Sequence, residues 1–133
     1  KINAGAQFFQ TNLVFDVPGL EIWLNALASR QILDKIHILI GITPLKSLKI
    51  ARYMNEEVPG VSIPAPLLQR MEAAERAGNA QEEGVQIALE LARRIKGYEG
   101  QGIHGLHIMP VGWEEIVPRI VQEAGLSNVV ARD

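Results

Sequence analysis

The sequence predicts an α/β protein built on a parallel sheet, and three observations carry that prediction. Three short apolar runs recur along the 133 residues, and each is followed by a segment with helical spacing. The middle run, residues 35–42, is apolar almost throughout (Ile36, Ile38, Leu39, Ile40, Ile42), the pattern of a strand buried on both faces. Strands that alternate with helices in this order pair in parallel and connect through right-handed crossovers.

The first strand is expected over residues 7–14. The Ala-Gly-Ala turn just before it, at 4–6, closes a helix and opens a strand, so the chain reads as continuing something that precedes it. Asp16 is the expected N-cap of a helix over 18–31, with Pro18 tolerated in its first turn. Leu20, Trp23, Leu24 and Leu27 fall at i, i+3, i+4 and i+7 and give this helix one apolar stripe. After the second strand, Thr43-Pro44 is expected to cap and open a helix reaching about residue 57. Val58-Pro59-Gly60 breaks it, and 61–66 reads as an irregular link.

A short helix is expected over 67–77, ended by Gly78-Asn79, and a longer one over 80–98. Ile87, Ala88, Leu91 and Ile95 line one side of the longer helix, and Glu82, Glu83, Glu90, Arg93 and Arg94 read as its solvated face. The third strand is expected over 102–111. Gly112 to Glu115 then turns into a last helix whose apolar side is Ile116, Val117, Ile120, Val121 and Ala124.

Composition narrows the function classes. Apolar residues make up 47% and charged residues 21%, which is the balance of a packed domain rather than a disordered chain. A net charge of −2 without a Lys/Arg cluster argues against a nucleic-acid surface. No apolar run approaches the roughly 18 residues that cross a bilayer, so no membrane partner is expected and a cytoplasmic location is the default. There is no Cys, and His37, His104 and His107 lack ligand spacing, so no metal site is expected. Buried strands with helices on one side and a packed interior on the other fit part of a (βα)8 barrel. An open doubly wound sheet is the alternative, made weaker by the absence of a Gly-rich phosphate loop.

Three motifs in order carry a resemblance: AGAQFFQTNLVFD at 4–16, IGITPLKSLK at 40–49 and GLHIMPVGWEE at 105–115. Together they resemble the methylenetetrahydrofolate reductase family, whose pattern at the first is close to AGA-x-x-x-x-T-Q-x-x-F-D. IPAPLLQRME at 63–72 and GVQIALELARRI at 84–95 are similar to the helical segment before that family's last strand. The last strand resembles the branch reading HIM-x-x-GWEE, found in bacteria and archaea that run one-carbon metabolism through a corrinoid pathway.

The resemblance implies a flavin-containing (βα)8 barrel of which residues 1–133 form the C-terminal three βα units, within a single domain. It implies that the first five strands, with the catalytic acid and most flavin contacts, are not in this chain. No catalytic residue is therefore assigned, and the chain alone is expected to be inactive. The implied cofactor is FAD, with FMN as the alternative. The implied partners are the folate substrate, the missing N-terminal barrel half or another chain, and a homo-oligomer or enzyme complex.

By the same resemblance, Asn12, Leu48, Met109 and Trp113 fall at folate-contacting positions, and Lys1 and Ala6 at flavin-proximal ones. Asn12 stands where the family has a Gln, one methylene longer; the other reading is an Asn that satisfies the loop backbone. Leu48 stands where some members stack an aromatic ring, and would give apolar cover without stacking; core packing is the alternative. Met109 replaces a Tyr and Trp113 an Arg of other relatives. His107, Met109, Val111 and Trp113 are expected to alternate toward one side of the last strand. Trp113 then either offers a ring face to the substrate or anchors the last helix.

Lys1 either pairs with cofactor phosphates or is a solvated first residue. Gln10 and His107 read as polar groups satisfied in the interior, and Glu114 and Glu115 as helix-start carboxylates. The reading is thus one wall of a flavin-dependent reductase that converts 5,10-methylenetetrahydrofolate to 5-methyltetrahydrofolate. A non-catalytic scaffold or partner-binding half-barrel is the alternative, because three parallel strands standing alone would leave two edges unpaired.

Overall fold

A computed structural model describes residues 8–32, 36–98, 103–110 and 112–125. Its three strands are β1 (Phe8–Leu13), β2 (His37–Ile42) and β3 (Ile103–Ile108), paired in parallel in the order β1-β2-β3. Helix α1 (Val17–Ser29) joins β1 to β2, and α2 (Leu48–Glu57), α3 (Ala65–Ala77) and α4 (Ala80–Lys96) lie between β2 and β3. A 3-10 turn (Glu114–Ile116) leads into α5 (Val117–Glu123).

Ile38, Ile40 and Ile42 of β2 are fully buried against α1, α4 and α5. Burying one such side chain stabilises by about 1.5–3 kcal/mol, so the alternate residues of β2 anchor the sheet to one layer of helices. Leu20 and Leu24 from α1, Val85, Ala88, Leu89, Ala92 and Ile95 from α4, and Ile120 from α5 complete this core. A second core forms on the outer flank of α4, where Ile87 and Leu91 meet Ala51 and Met54 of α2 and Met71 of α3. Helix α4 is therefore apolar toward two neighbours: the sheet on one side and the α2–α3 pair on the other. Beyond its end, the Tyr98 hydroxyl donates to the Glu21 carboxylate of α1.

The capping of α1 follows the sequence, with Asp16 Oδ1 accepting from the Gly19 amide at 3.1 Å. Helix α2 departs from it. The helix opens at Leu48 rather than at Thr43-Pro44, because Ser47 is the cap: its Oγ accepts from the Ile50 amide at 3.2 Å. Thr43, Pro44 and Leu45 instead form a buried connection. Helix α3 begins two residues earlier than expected, at Ala65, since Pro66 sits in the first turn where no amide is required.

Strand β3 is also shorter than expected. Met109 still donates to the Ile42 carbonyl at 2.8 Å, but Pro110 has no N–H to continue the ladder. The chain then turns, with the Trp113 amide donating back to the Pro110 carbonyl at 3.0 Å. The expected alternation of His107, Met109, Val111 and Trp113 along one side is thereby corrected: strand geometry ends at Ile108, and Val111 lies outside the described residues. Trp113 is turned into the core beside Ile120 and Ala124.

Candidate functional site

All the helices that pack on the sheet lie on one face, and the opposite face is left to the alternate strand residues. Parallel pairing aligns Gln10, Leu39 and Gly105 in one row and Gly41 with His107 in the next. Two glycines thus sit diagonally across this face, and each is covered by a neighbour's side chain. A Cβ on Gly105 would lie 3.1 Å from Leu39 Cδ2, and one on Gly41 would lie 2.6 Å from Met109 Cε. The Gly41 floor is closed further by the backbone oxygens of Thr11 and Asn12, which would stand 3.0 and 3.1 Å from such a Cβ. Met109, expected at the substrate site, therefore lies flat over Gly41 just past the end of β3.

Asn12 belongs to an irregularity in β1. The register slips between Gln10 and Leu13, where three residues of β1 span two of β2. Thr11 Oγ1 takes the freed ladder position, accepting from the Gly41 amide at 2.9 Å and donating to the Asn12 carbonyl at 2.8 Å. The Asn12 side chain then turns to the link between α2 and α3. Its Nδ2 donates to the Pro59 carbonyl at 3.1 Å, and its Oδ1 accepts from the Leu13 amide at 2.9 Å. The backbone-satisfying reading of Asn12 describes these contacts, and the side chain remains exposed with one N–H and one lone pair to spare.

Leu48 is half-buried at the start of α2 and packs on the outer core, as the core-packing alternative has it. Trp113 is 6% exposed, which leaves its ring engaged in packing at the base of α5. Lys1 and Ala6 lie outside the described residues. Of the four expected substrate positions, Asn12 is the penultimate residue of β1, Met109 directly follows β3, Leu48 opens α2 after the connection that leaves β2, and Trp113 is in the inner core. Thr43, in the connection after β2, is 1% exposed and its Oγ1 has no hydrogen-bond partner among the described residues.

A groove of about 910 Å3 runs along the outer edge of β1. Strand residues Phe9 to Leu13 form its floor, and Leu20, Trp23 and Leu27 of α1 form its far wall. Trp23 is 41% exposed there, a large apolar surface beside an edge strand. Among the described residues, Asp16 is the one charged side chain lining the groove, and no Lys or Arg borders it. Among the described residues no group of His, Asp and Glu has metal-binding geometry, and no helix is long and apolar enough to cross a membrane.

Sequence reasoning missed the charged lattice around α4. Arg70 on α3 donates through Nε to Glu83 at 2.7 Å and forks onto Glu90 at 2.9 and 2.8 Å. Arg119 on α5 forks onto Glu82 at 2.9 and 2.8 Å and reaches Glu123 through Nε at 2.6 Å. Hydrogen bonding to the arginines holds the Glu82 carboxyl near 2 and the Glu90 carboxyl below its usual range. Both arginines join segments far apart in sequence, so helical spacing on α4 alone carried no sign of them.

Comparison with known proteins places these segments in a family context. A sequence model of the family "Methylenetetrahydrofolate reductase" matches residues 1–125. "Methylenetetrahydrofolate reductase 1" of Schizosaccharomyces pombe is 25% identical over 127 residues, covering 95% of this chain. The chain spans 20% of the length of that relative.

Proposed function

From the premise that this chain belongs to the methylenetetrahydrofolate reductase family, we propose that it forms one wall of a cytoplasmic reductase that converts 5,10-methylenetetrahydrofolate to 5-methyltetrahydrofolate. The observation that carries this reading is the extent of the family match, which covers all three βα units in order. Asn12, Leu48 and Met109 provide the folate-facing wall, and Trp113 holds α5 in place beneath it.

The edge groove supports the barrel part of the proposal. A further parallel strand would pair with the outer edge of β1, and its helix would cover Trp23 and Leu27. Preceding βα units of a (βα)8 barrel have this form, whether they come from the same polypeptide or from another chain. The same groove favours a partner-binding role, as the scaffold alternative requires, but a partner that completes the barrel also completes the active-site mouth.

Hydride chemistry in this reading comes from a flavin, FAD or FMN, whose ring the protein orients. Among the described residues no cationic side chain lines the groove, and Lys1 and Ala6 lie outside them, so no described residue is assigned to the cofactor's phosphates. The chain's own contribution is therefore to the folate side: apolar cover from Leu48 and Met109, and an amide from Asn12 that can donate and accept at a pterin edge.

A visible absorbance spectrum tests the proposal. Intact enzyme purified under native conditions is expected to carry flavin absorbance, and the 133-residue chain expressed alone is expected to lack it. An intact protein that stays colourless after addition of FAD and FMN overturns the flavin reading.

A further inference from the structure

One contact in the molecule is made without any side chain on one partner. Helix α4 meets the connection after β2 at Gly84, whose absent Cβ would overlap the Leu45 carbonyl oxygen and lie 2.7 Å from its carbon. No other residue fits that approach without moving either the helix or the connection. Leu45 is fully buried there, and the adjacent Thr43 is buried too. The connection has no regular hydrogen bonding of its own until Ser47 caps α2.

The arginine clamps converge on the same turn. Glu82 and Glu83, the two residues before Gly84, are gripped from opposite flanks, one by Arg119 of α5 and the other by Arg70 of α3. Bidentate guanidinium–carboxylate pairs carry geometric specificity as well as attraction. The first turns of α4 are thus held laterally by the Arg119 fork on Glu82 and by the single Arg70 Nε bond to Glu83, while the bare backbone at Gly84 presses on the Leu45 carbonyl.

We propose that Gly84 is a positioning residue for the folate wall: through its side-chain-free contact with the Leu45 carbonyl, α4 sets the height of the 43–47 connection and with it the placement of Leu48 at the mouth. The proposal rests on the folate-site reading above and deepens it. A misplacement of about 1 Å in a binding wall is enough to weaken substrate positioning without touching the reacting atoms.

The test uses the intact enzyme with Gly84→Ala, with the double surface variant Arg70→Ala/Arg119→Ala, and with Gly78→Ala as control. Gly78 ends α3 at φ +78° and has open space around its Cβ position, so its substitution strains a helix end without reaching the connection. Gly84→Ala is expected to raise KM for 5,10-methylenetetrahydrofolate about five- to tenfold with kcat within about twofold. Amide hydrogen exchange at Ile50 and Ala51, whose amides bond Ser47 at the end of the connection, should speed up about tenfold. The double arginine variant, which keeps Gly84 and removes only partly exposed ion pairs, should shift both readouts in the same direction by less.

Gly78→Ala should lower the melting temperature and move neither readout. Since Ala is the better helix former, Gly84→Ala with an unchanged KM and unchanged exchange overturns the proposal. If Gly84→Ala does not fold, wild-type values of both readouts in the double variant overturn it. An enzyme without folate turnover removes the function reading and the KM arm alone; unchanged exchange then still overturns the positioning role, and faster exchange upholds it.

Discussion

Asn12 and Pro59 are 47 positions apart and joined by one hydrogen bond, from the Asn12 amide to the Pro59 carbonyl at 3.1 Å. The bond ties the bulge in β1 to the link between α2 and α3. Gly60, next in the chain, lies so close that a Cβ there would stand 2.8 Å from Asn12 Nδ2. Asn12 is thus a strut between β1 and the α2–α3 link.

Asn12→Ala is expected to destabilise the intact enzyme by about 1 kcal/mol, the net worth of a typical intramolecular hydrogen bond. Asn12→Asp keeps the acceptor for the Leu13 amide and sets a carboxylate against the Pro59 carbonyl, so it should be worse than Ala. Urea denaturation of the three proteins checks the order. If Asn12→Asp matches wild type, the strut to Pro59 is absent in solution.

Gly41→Ala should destabilise by about 1–3 kcal/mol, the usual cost of overpacking. Its new methyl would meet Met109 Cε at 2.6 Å and two backbone oxygens that have little freedom to withdraw. Pairing it with Met109→Ala relieves the side-chain part of the clash and should recover part of the loss. A double-mutant cycle by denaturation measures that coupling; additive losses would mean Met109 does not cover Gly41.

Trp113→Ala removes a core side chain that is 6% exposed, and the expected cost is about 3–5 kcal/mol. Trp113→Phe retains most of the packing and should lose far less. Equilibrium unfolding gives both values. A Trp113→Ala loss below about 1 kcal/mol would mean that the ring is a surface group rather than part of the core.

The Arg119–Glu82 fork makes a pH-dependent contribution whose sign is fixed by the direction of the shift. Glu82 is lowered from the ordinary 4.5 to about 2, so its stabilisation is complete above 4.5 and is lost as pH falls toward 2. The pair is about half-exposed, which makes the contribution modest and sensitive to salt. Glu82→Gln should lower the melting temperature at pH 7, with the difference from wild type closing between pH 4.5 and 2 and shrinking in 1 M salt. A difference that grows toward acid pH would contradict the assigned pair. The same argument, in direction only, applies to Glu90 and Arg70.

The pattern of β2 was legible because its alternate isoleucines must be buried, and burial is what periodicity reports. The Asp16 cap was legible for a similar reason: a local hydrogen bond leaves a local signature. Where α2 begins was not, since Thr43-Pro44 and Ser47 both offer helix starts, and the one used is Ser47, whose hydroxyl caps the helix while Thr43 to Leu45 are buried. The alternation from His107 to Trp113 was misread because it was carried past Pro110, where the ladder loses its donor, whereas the burial of Trp113 agrees with its helix-anchoring alternative. The bulge at Thr11-Asn12 and both arginine forks depend on partners 20 to 47 positions away, and no local pattern encodes them. What the family motifs marked at Asn12, Leu48 and Met109 are positions near the strand ends; what each side chain does there is set by these distant contacts.

The central claim is that this chain supplies one wall of a folate-reducing site. The most direct measurement incubates the intact enzyme anaerobically with 5,10-methylenetetrahydrofolate, its cofactor held reduced by dithionite, and separates the folates by chromatography. The expected product is 5-methyltetrahydrofolate in excess over enzyme, with a markedly higher KM in Gly84→Ala. Folded, cofactor-loaded enzyme that leaves the substrate unreduced would contradict it.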